Sequence, residues 1–391
     1  MVSVEKAREL IKTTVFPLKT VEVKVADSHG LYLDEDIIAP VSIPLFNQSA
    51  MDGYAFKFED VNNPLTIVDK IPAGDTRVID INKGEAIRIF TGSKVPASCD
   101  TVVMQELIEI KEGKLIVKDS GLKLGGNVRL KGNQIEKGSV ALKKGAIINA
   151  GAVGFLATLG ITEINVYQKP KAVIIATGSE LVKPGEKLAE GQIYESNTVM
   201  LEAALKQKGI APTIFVVQDN KNETSKVIAE ALKNNDLVLL SGGISVGDYD
   251  FVKEALENNG VTEVFYKIKQ KPGKPLYFGK TEKSYVFALP GNPAAALNCF
   301  YEYVSMSINI MIGNPQIDLP IINIPISKTY TKKIGRSNFL KATTDFKTVT
   351  PLEGQGSDAL QAFSLANCII YLPENDTVIN KNELVEVHLL P

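Results

Sequence analysis

The chain has 391 residues, with 43 Lys and Arg against 45 Asp and Glu, a formal net charge of −2, and 45% hydrophobic residues. That length accommodates about two to four domains. The balanced charge gives no global attraction to nucleic acid or acidic lipid, so any anion site has to be local.

Three widely spaced cysteines, Cys99, Cys299 and Cys368, form no CxxC pair. They fit a reducing compartment and read as small buried apolar residues. His29 and His388 lie at opposite ends of the chain, which argues against a zinc cluster or a histidine-based triad and leaves oxygen ligands for any metal. No apolar run approaches the ~18 residues of a membrane span, and the opening VEKARELIKTTV predicts an amphipathic helix, not a signal peptide. A cytoplasmic protein is expected.

After that helix, VEVKVADS alternates with the strand period. VSIPLFNQSAMDGYAF then makes an exposed loop with Asp52 beside Gly53, where an ordinary turn former is the plain reading of the aspartate. Residues 64–145 show short strands and turns without a long helical period, an all-β module. Within it, Thr91 and Gly92 sit at a strand end and Arg129 and Lys131 lie among glycines. NAGAVGFLATLG predicts a small-residue helix stopped at Gly160.

From about residue 166 buried strands alternate with amphipathic helices. Strands are expected over 172–176, 213–218, 237–240, 262–267 and 285–288, and helices over 197–208, 223–234, 251–258 and 293–312, with Asn222 as an N-cap. This alternation implies a mostly parallel sheet covered by helices. Beyond residue 314 short strands return, predicting a small terminal β-domain in which Arg336 follows Gly335 and Ser357 sits in EGQGSDAL. The domains expected are 1–165, with an inserted β-domain at about 45–145, then 166–315 and 316–391.

The strand ends carry the chemistry. The first opens into TGSE with Glu180, the second into QDN with Asp219, and the third into SGGISVGDYD with Ser241, Gly242, Gly243 and Asp250. The fourth leads to KIKQKPGKP with Lys267, Lys271 and Lys274, and the fifth to LPGNP with Pro290, Gly291 and Asn292. Ligands of such sheets bind outside the carboxyl ends of the strands, and glycines there let backbone N–H groups approach an anion. Asp219 and Asp250 could meet at that edge and suit Mg²⁺, beside lysines for an oxyanion. Asp248 reads as a solvent-facing turn residue. No Walker A sequence is present.

NQSAMDGYA, IFTGSKVP, TGSEL, SGGISVG, KPGKP and LPGNP, in this order over essentially the whole chain, resemble the molybdopterin molybdenumtransferase family, MoeA, whose eukaryotic counterpart is the E domain of gephyrin. The resemblance implies a central α/β/α domain like that of MogA, an extended N-terminal β-rich module and a small C-terminal β-domain. Similarity to MogA itself is partial, because those proteins read GGTG where this chain reads GGIS and lack the flanking β-domains. The activity implied is insertion of molybdate into adenylylated molybdopterin with Mg²⁺-dependent release of AMP.

Carried over to this chain, the resemblance assigns Asp52, Glu180, Asp219, Asp250, Lys267 and Lys271 to catalysis, with Asp219 and Asp250 on the metal. Substrate contacts fall to Thr91, Arg129, Asn197, Arg336 and Ser357, besides the strand-end residues Ser241, Gly242, Gly243, Lys274, Pro290, Gly291 and Asn292. It also implies a homodimer whose β-module completes the partner's site, a MogA-type adenylyltransferase upstream, and molybdoenzyme maturation factors downstream. The chain departs from the family at Gln134, where an acid is usual, and at Ala294, Ala295 and Ala296, where a serine is usual. A gephyrin-like binding scaffold and a molybdopterin adenylyltransferase remain the alternative readings.

Overall fold

The structure is a computed structural model that describes residues 1–218, 220–243 and 252–391. In its central region β1 (Ala172–Thr177), β2 (Thr213–Val217), β3 (Leu237–Ser241) and β4 (Thr262–Tyr266) follow one another with helices between them, and β5 (Gln270–Lys271), β6 (Tyr277–Lys280) and β7 (Tyr285–Leu289) follow β4 without one. Every residue of β1 and β3 is buried, the pattern required of strands covered on both faces. Alternate side chains enter separate cores: Ile174, Leu237, Leu239 and Phe287 on one face, Val173, Ile175, Val238, Leu240 and Val286 on the other. Each fully buried side chain of this kind contributes roughly 1.5–3 kcal/mol.

Six strands form the central sheet in the order β2-β1-β3-β7-β6-β4. The first four run parallel, while β6 is antiparallel to both β7 and β4. Two reversals bring the carboxyl end of β4 to the same edge as that of β7. The chain leaves β1 for β2 on one side and returns to β3 on the other, so the topological switch point lies between the ends of β1 and β3. β6 has no counterpart in the sequence reading, because its LYFGK run merges with the preceding KPGKP turn.

Helix α1 (Asn197–Gln207) starts at its expected residue. For α2 (Lys221–Asn234) the cap is Asn220, not Asn222: Asn220 has extended backbone angles and its side chain accepts the N–H groups of Asn222 and Glu223 at 3.0 and 3.1 Å. Asn222 already lies inside the helix. The long helix after β7 has three parts, α3 (Pro293–Cys299), a π turn (Phe300–Val304) and α4 (Ser305–Met311). All three cysteines are buried, and burial pushes the Cys99 and Cys368 thiols up to about 12.

The N-terminal helix Val4–Thr14 packs on the central domain through Val4, Ala7 and Ile11. From there the chain runs out along a thin antiparallel ribbon, in which Thr20–Lys24 pairs with Glu163–Tyr167, Ile37–Ile38 with Val140–Leu142, and Gln48–Ser49 with Val128–Arg129. The ribbon ends in a six-stranded sheet spanning 53–117. The C-terminal sheet contains β8 (Ser337–Thr344) and takes an edge strand from the central region: β5 pairs in parallel with β8, Gln270 opposite Ser337 and Lys271 opposite Asn338. Among the described residues no helix is long and apolar enough to cross a membrane.

Candidate active site

A cleft of about 600 Å³ opens at the switch point. Thr177 at the end of β1, Gly178 and Glu180 just after it, and Gly242 and Gly243 after β3 form one side of its lining. The loop 270–275, the turn 290–292, Ala295, Arg336 and Ser357 complete it. The sheet supplies the floor and the C-terminal domain supplies Arg336 and Ser357, so two domains contribute to one cavity.

The glycine pair is required by space. Gly242 and Gly243 have φ of 92° and 61°. A Cβ on Gly242 would stand 2.6 Å from the Thr177 carbonyl oxygen, and one on Gly243 would stand 2.8 Å from Val252 Cγ2. Thr177 is 8% exposed, and its hydroxyl, against the two glycines, has no hydrogen-bond partner among the described residues. An unpartnered buried hydroxyl in a cleft lining is a polar contact held ready for a ligand.

Asn197, at the start of α1, ties two rims together. Its Nδ2 donates to Ser241 Oγ and to the Gly291 carbonyl, both at 2.7 Å. Ser241 is therefore a buried strut behind the cleft. Asn292 Nδ2 donates to Ser357 Oγ at 2.7 Å, and the Ala295 N–H donates to the Ser357 carbonyl at 3.0 Å, which joins the LPGNP turn to the C-terminal loop.

The electrostatics are one-sided. Lys271, Lys274 and Arg336 are exposed lining residues, and among the described residues none of the three has a carboxylate within ion-pair distance. Uncompensated cations in a concave site attract and hold anions. Glu180, across the cleft, is the carboxylate of the described lining.

Lys267 stands apart from the lining residues, with Nζ 4.5 Å from the Tyr266 ring centroid and a φ of 66°. Asp219 and Asp250, the residues expected to hold Mg²⁺, and Asp248 lie outside the described residues. Among the described residues no three His, Cys, Asp or Glu side chains gather to hold a metal ion.

Three further site candidates sit far out on the β-module. Thr91 donates to Asp52 Oδ1 from both its N–H (2.8 Å) and Oγ1 (2.9 Å), which holds the exposed aspartate below the usual carboxylate range. Beside them Arg88, absent from the sequence reading, stacks between Tyr54 and Phe90 at 5.0 Å from each ring centroid. Arg129 lies exposed on the ribbon. None of these residues lines the cleft of its own chain. Thr177, Gln270 and Pro275 do, without having been singled out, as does Ala295, one of the alanines that depart from the family pattern; for Thr177 the signal was its place ahead of the glycine in TGSE.

The fold and this site define an α/β protein with a cationic cleft at a sheet switch point, flanked by two β-domains. Three family models match in sequence along the chain: the MoeA N-terminal region (domain I and II) over residues 2–160, the probable molybdopterin binding domain over 173–309, and the MoeA C-terminal region (domain IV) over 323–390. The molybdopterin molybdenumtransferase of Haemophilus influenzae is 34% identical over 404 residues, covering all of both chains. That of Staphylococcus epidermidis is 34% identical over 400 residues, covering 99% of this chain and 95% of its own. Two solved structures of the molybdopterin biosynthesis MoeA protein from Pyrococcus horikoshii cover the whole chain, and 99% and 100% of their own, with TM-scores of 0.85 and 0.84 at 29% and 27% identity. The chain belongs to the MoeA family of molybdopterin molybdenumtransferases. A match over all three regions supports the MoeA-type transferase reading and not the scaffold or adenylyltransferase alternatives.

Proposed function

We propose that this chain transfers molybdenum to molybdopterin: it binds adenylylated molybdopterin, accepts molybdate, and releases AMP as the adenylyl phosphoanhydride is hydrolysed. The observation that carries this reading is the set of three cations, Lys271, Lys274 and Arg336, without a carboxylate partner among the described residues, in one cleft with the glycine pair of the switch point. Gly242 and Gly243 admit the pyrophosphate link close to the main chain. The cations neutralise the oxyanion, and Ser357, Asn292 and Thr177 supply neutral hydrogen-bonding groups around it.

Mg²⁺ belongs to this proposal through the sequence positions of Asp219 after β2 and Asp250 after β3, with Glu180 as the described carboxylate on the same side of the cleft. When bound it supplies charge neutralisation at the phosphates. Lys267 is retained as a candidate acting from beside the cleft.

The working unit we propose is a cytoplasmic homodimer. The ribbon and the start of the β-module expose Ile38, Leu45, Met51, Leu130 and Val140, apolar area of the kind that two copies would cover. Asp52, Thr91 and Arg129 would then reach the partner's cleft. The substrate's adenylyl group calls for a MogA-type adenylyltransferase upstream, and the molybdenum-loaded product for molybdoenzyme maturation factors downstream.

The test is direct. Purified protein with Mg²⁺, adenylylated molybdopterin and molybdate is expected to release AMP stoichiometrically with cofactor formed. It is expected to release no pyrophosphate from ATP and molybdopterin. Absence of AMP release under these conditions overturns the proposal.

A further inference from the structure

Behind the cationic wall lies a layer of buried polar side chains whose partners are main-chain carbonyls of the wall itself. Gln270 is completely buried and immediately precedes Lys271. Its Nε2 donates to the Pro272 carbonyl at 2.9 Å and is 3.3 Å from that of Gly273. Its Oε1 accepts the hydroxyl of Tyr303, itself fully buried on the π turn. The loop between Lys271 and Lys274 is thereby fastened from beneath by one side-chain amide, whose orientation is fixed by one phenol.

Space and register restrict the same loop. A Cβ on Gly273, whose φ is 86°, would meet Cys299 Sγ at 2.5 Å and Gln270 Nε2 at 2.9 Å. The backbone of Gln270 and Lys271 pairs with Ser337 and Asn338, directly after Arg336. Lys332 Nζ, in turn, donates to the Arg336 carbonyl at 3.1 Å, and the buried Lys341 Nζ donates to the Gly356 carbonyl at 2.9 Å, next to Ser357. Hydrogen bonds from buried or largely buried side chains thus support the main chain beside each wall residue. An apolar core would have closed this region without them, and a buried polar group left unsatisfied costs about 1–3 kcal/mol.

We infer that Gln270 and Tyr303 are positioning residues of the oxyanion subsite. By shaping the 271–275 loop against β8 they set the separation of Lys271, Lys274 and Arg336 to suit a small tetrahedral dianion, and they do not act on the nucleotide. This rests on the assignment of the cationic wall to molybdate. Loss of the phenol frees the Gln270 amide to rotate, which loosens the Pro272 and Gly273 carbonyls and lets the two lysines drift. Sub-ångström displacement of groups that bind a small rigid ion weakens binding steeply, whereas a large ligand contacting many other residues tolerates it.

The experiment compares wild type, Tyr303→Phe, Gln270→Leu and Lys271→Ala by calorimetric titration with inorganic molybdate and, separately, with AMP, alongside urea unfolding. Tyr303→Phe is expected to raise the molybdate Kd about tenfold and the KM for molybdate in parallel. The AMP Kd should stay within about twofold, and kcat at saturating molybdate should be unchanged. Gln270→Leu is expected to do the same more strongly; should it not fold, Tyr303→Phe decides alone. A Tyr303→Phe protein that binds molybdate as wild type does, or that loses molybdate and AMP affinity in equal measure, overturns the inference. Wild-type binding of molybdate that Lys271→Ala leaves untouched overturns the assignment of the wall, and with it the inference.

Discussion

The cleft and the Asp52–Thr91 turn use the same kinds of residue to opposite architectural effect. In the cleft, exposed cations stand on buried supports: Gln270, Lys332 and Lys341 each hold a main-chain carbonyl. On the β-module, Asp52 and Thr91 hold one another on an exposed surface, and no residue of that module lines the cleft of the same chain. The cleft is thus a concave site in a single chain. The turn is a prepared surface that faces nothing in its own cleft, and the proposed homodimer would set the second copy's cleft against it.

The largest effect expected concerns the cations. Arg336→Ala or Lys271→Ala should lower kcat/KM for AMP release by roughly 10²–10³-fold, the range for removing one preorganised stabilising group, and added salt should reduce the remaining activity only weakly. Next comes the turn. Asp52→Ala is expected to lower activity by about 10²-fold, the low end for loss of an acid–base group, and mixing it with Lys271→Ala under conditions of subunit exchange should restore activity that neither variant has alone. Mixed dimers as inactive as their parents would show that the two regions do not meet across the interface.

Stability separates the regions next. His388 is fully buried between Glu302 and Glu386, at 2.7 and 2.8 Å. Burial pulls its pKa down, but the Glu302 charge and the hydrogen bonds to Glu302 and Glu386 outweigh it and push it up to about 9. The proton is held more tightly in the folded than in the unfolded chain, whose imidazole titrates near 6.5. The resulting stability is complete below about pH 6.5 and is lost as pH rises through 9. It amounts to at most about 3 kcal/mol. Urea midpoints measured from pH 6 to 9.5 should fall in wild type and stay flatter in His388→Gln. Nothing comparable is expected from the exposed turn, and Thr91→Ala should leave the midpoint unmoved. Between these lies Gly242→Ala, where strain of about 1–3 kcal/mol is expected from the left-handed backbone and the Thr177 carbonyl, with weakened nucleotide binding.

Much of the site was legible because its features are local. Strands buried at every position announce themselves as apolar runs, and the groups that follow them, SGG, KPGKP and LPGNP, must emerge at one edge once the strands are parallel. What stayed hidden depends on distant partners. The pairing of Gln270 and Lys271 with Ser337 and Asn338 makes a two-residue turn segment into a strand of another domain, and no local pattern reports that. His388 looked isolated because its partners, Glu302 and Glu386, are a helical and a strand carboxylate with ordinary spacing. Tyr303 sat in an apolar helix, where its hydroxyl is indistinguishable from a packing choice. Asn220 and Asn222 are equally good caps by composition, and only backbone angles choose between them.

The strand shared between the central region and the C-terminal sheet has a kinetic consequence. Gln270 is hydrogen-bonded into both units, through its backbone to β8 and through its side chain to Tyr303, and on the inference above the cations on this wall would stand at fixed separation before any ligand arrives. A small dianion would then associate in one step with no slower ordering phase on this side, and its on-rate should fall smoothly as ionic strength shortens the reach of the wall's field.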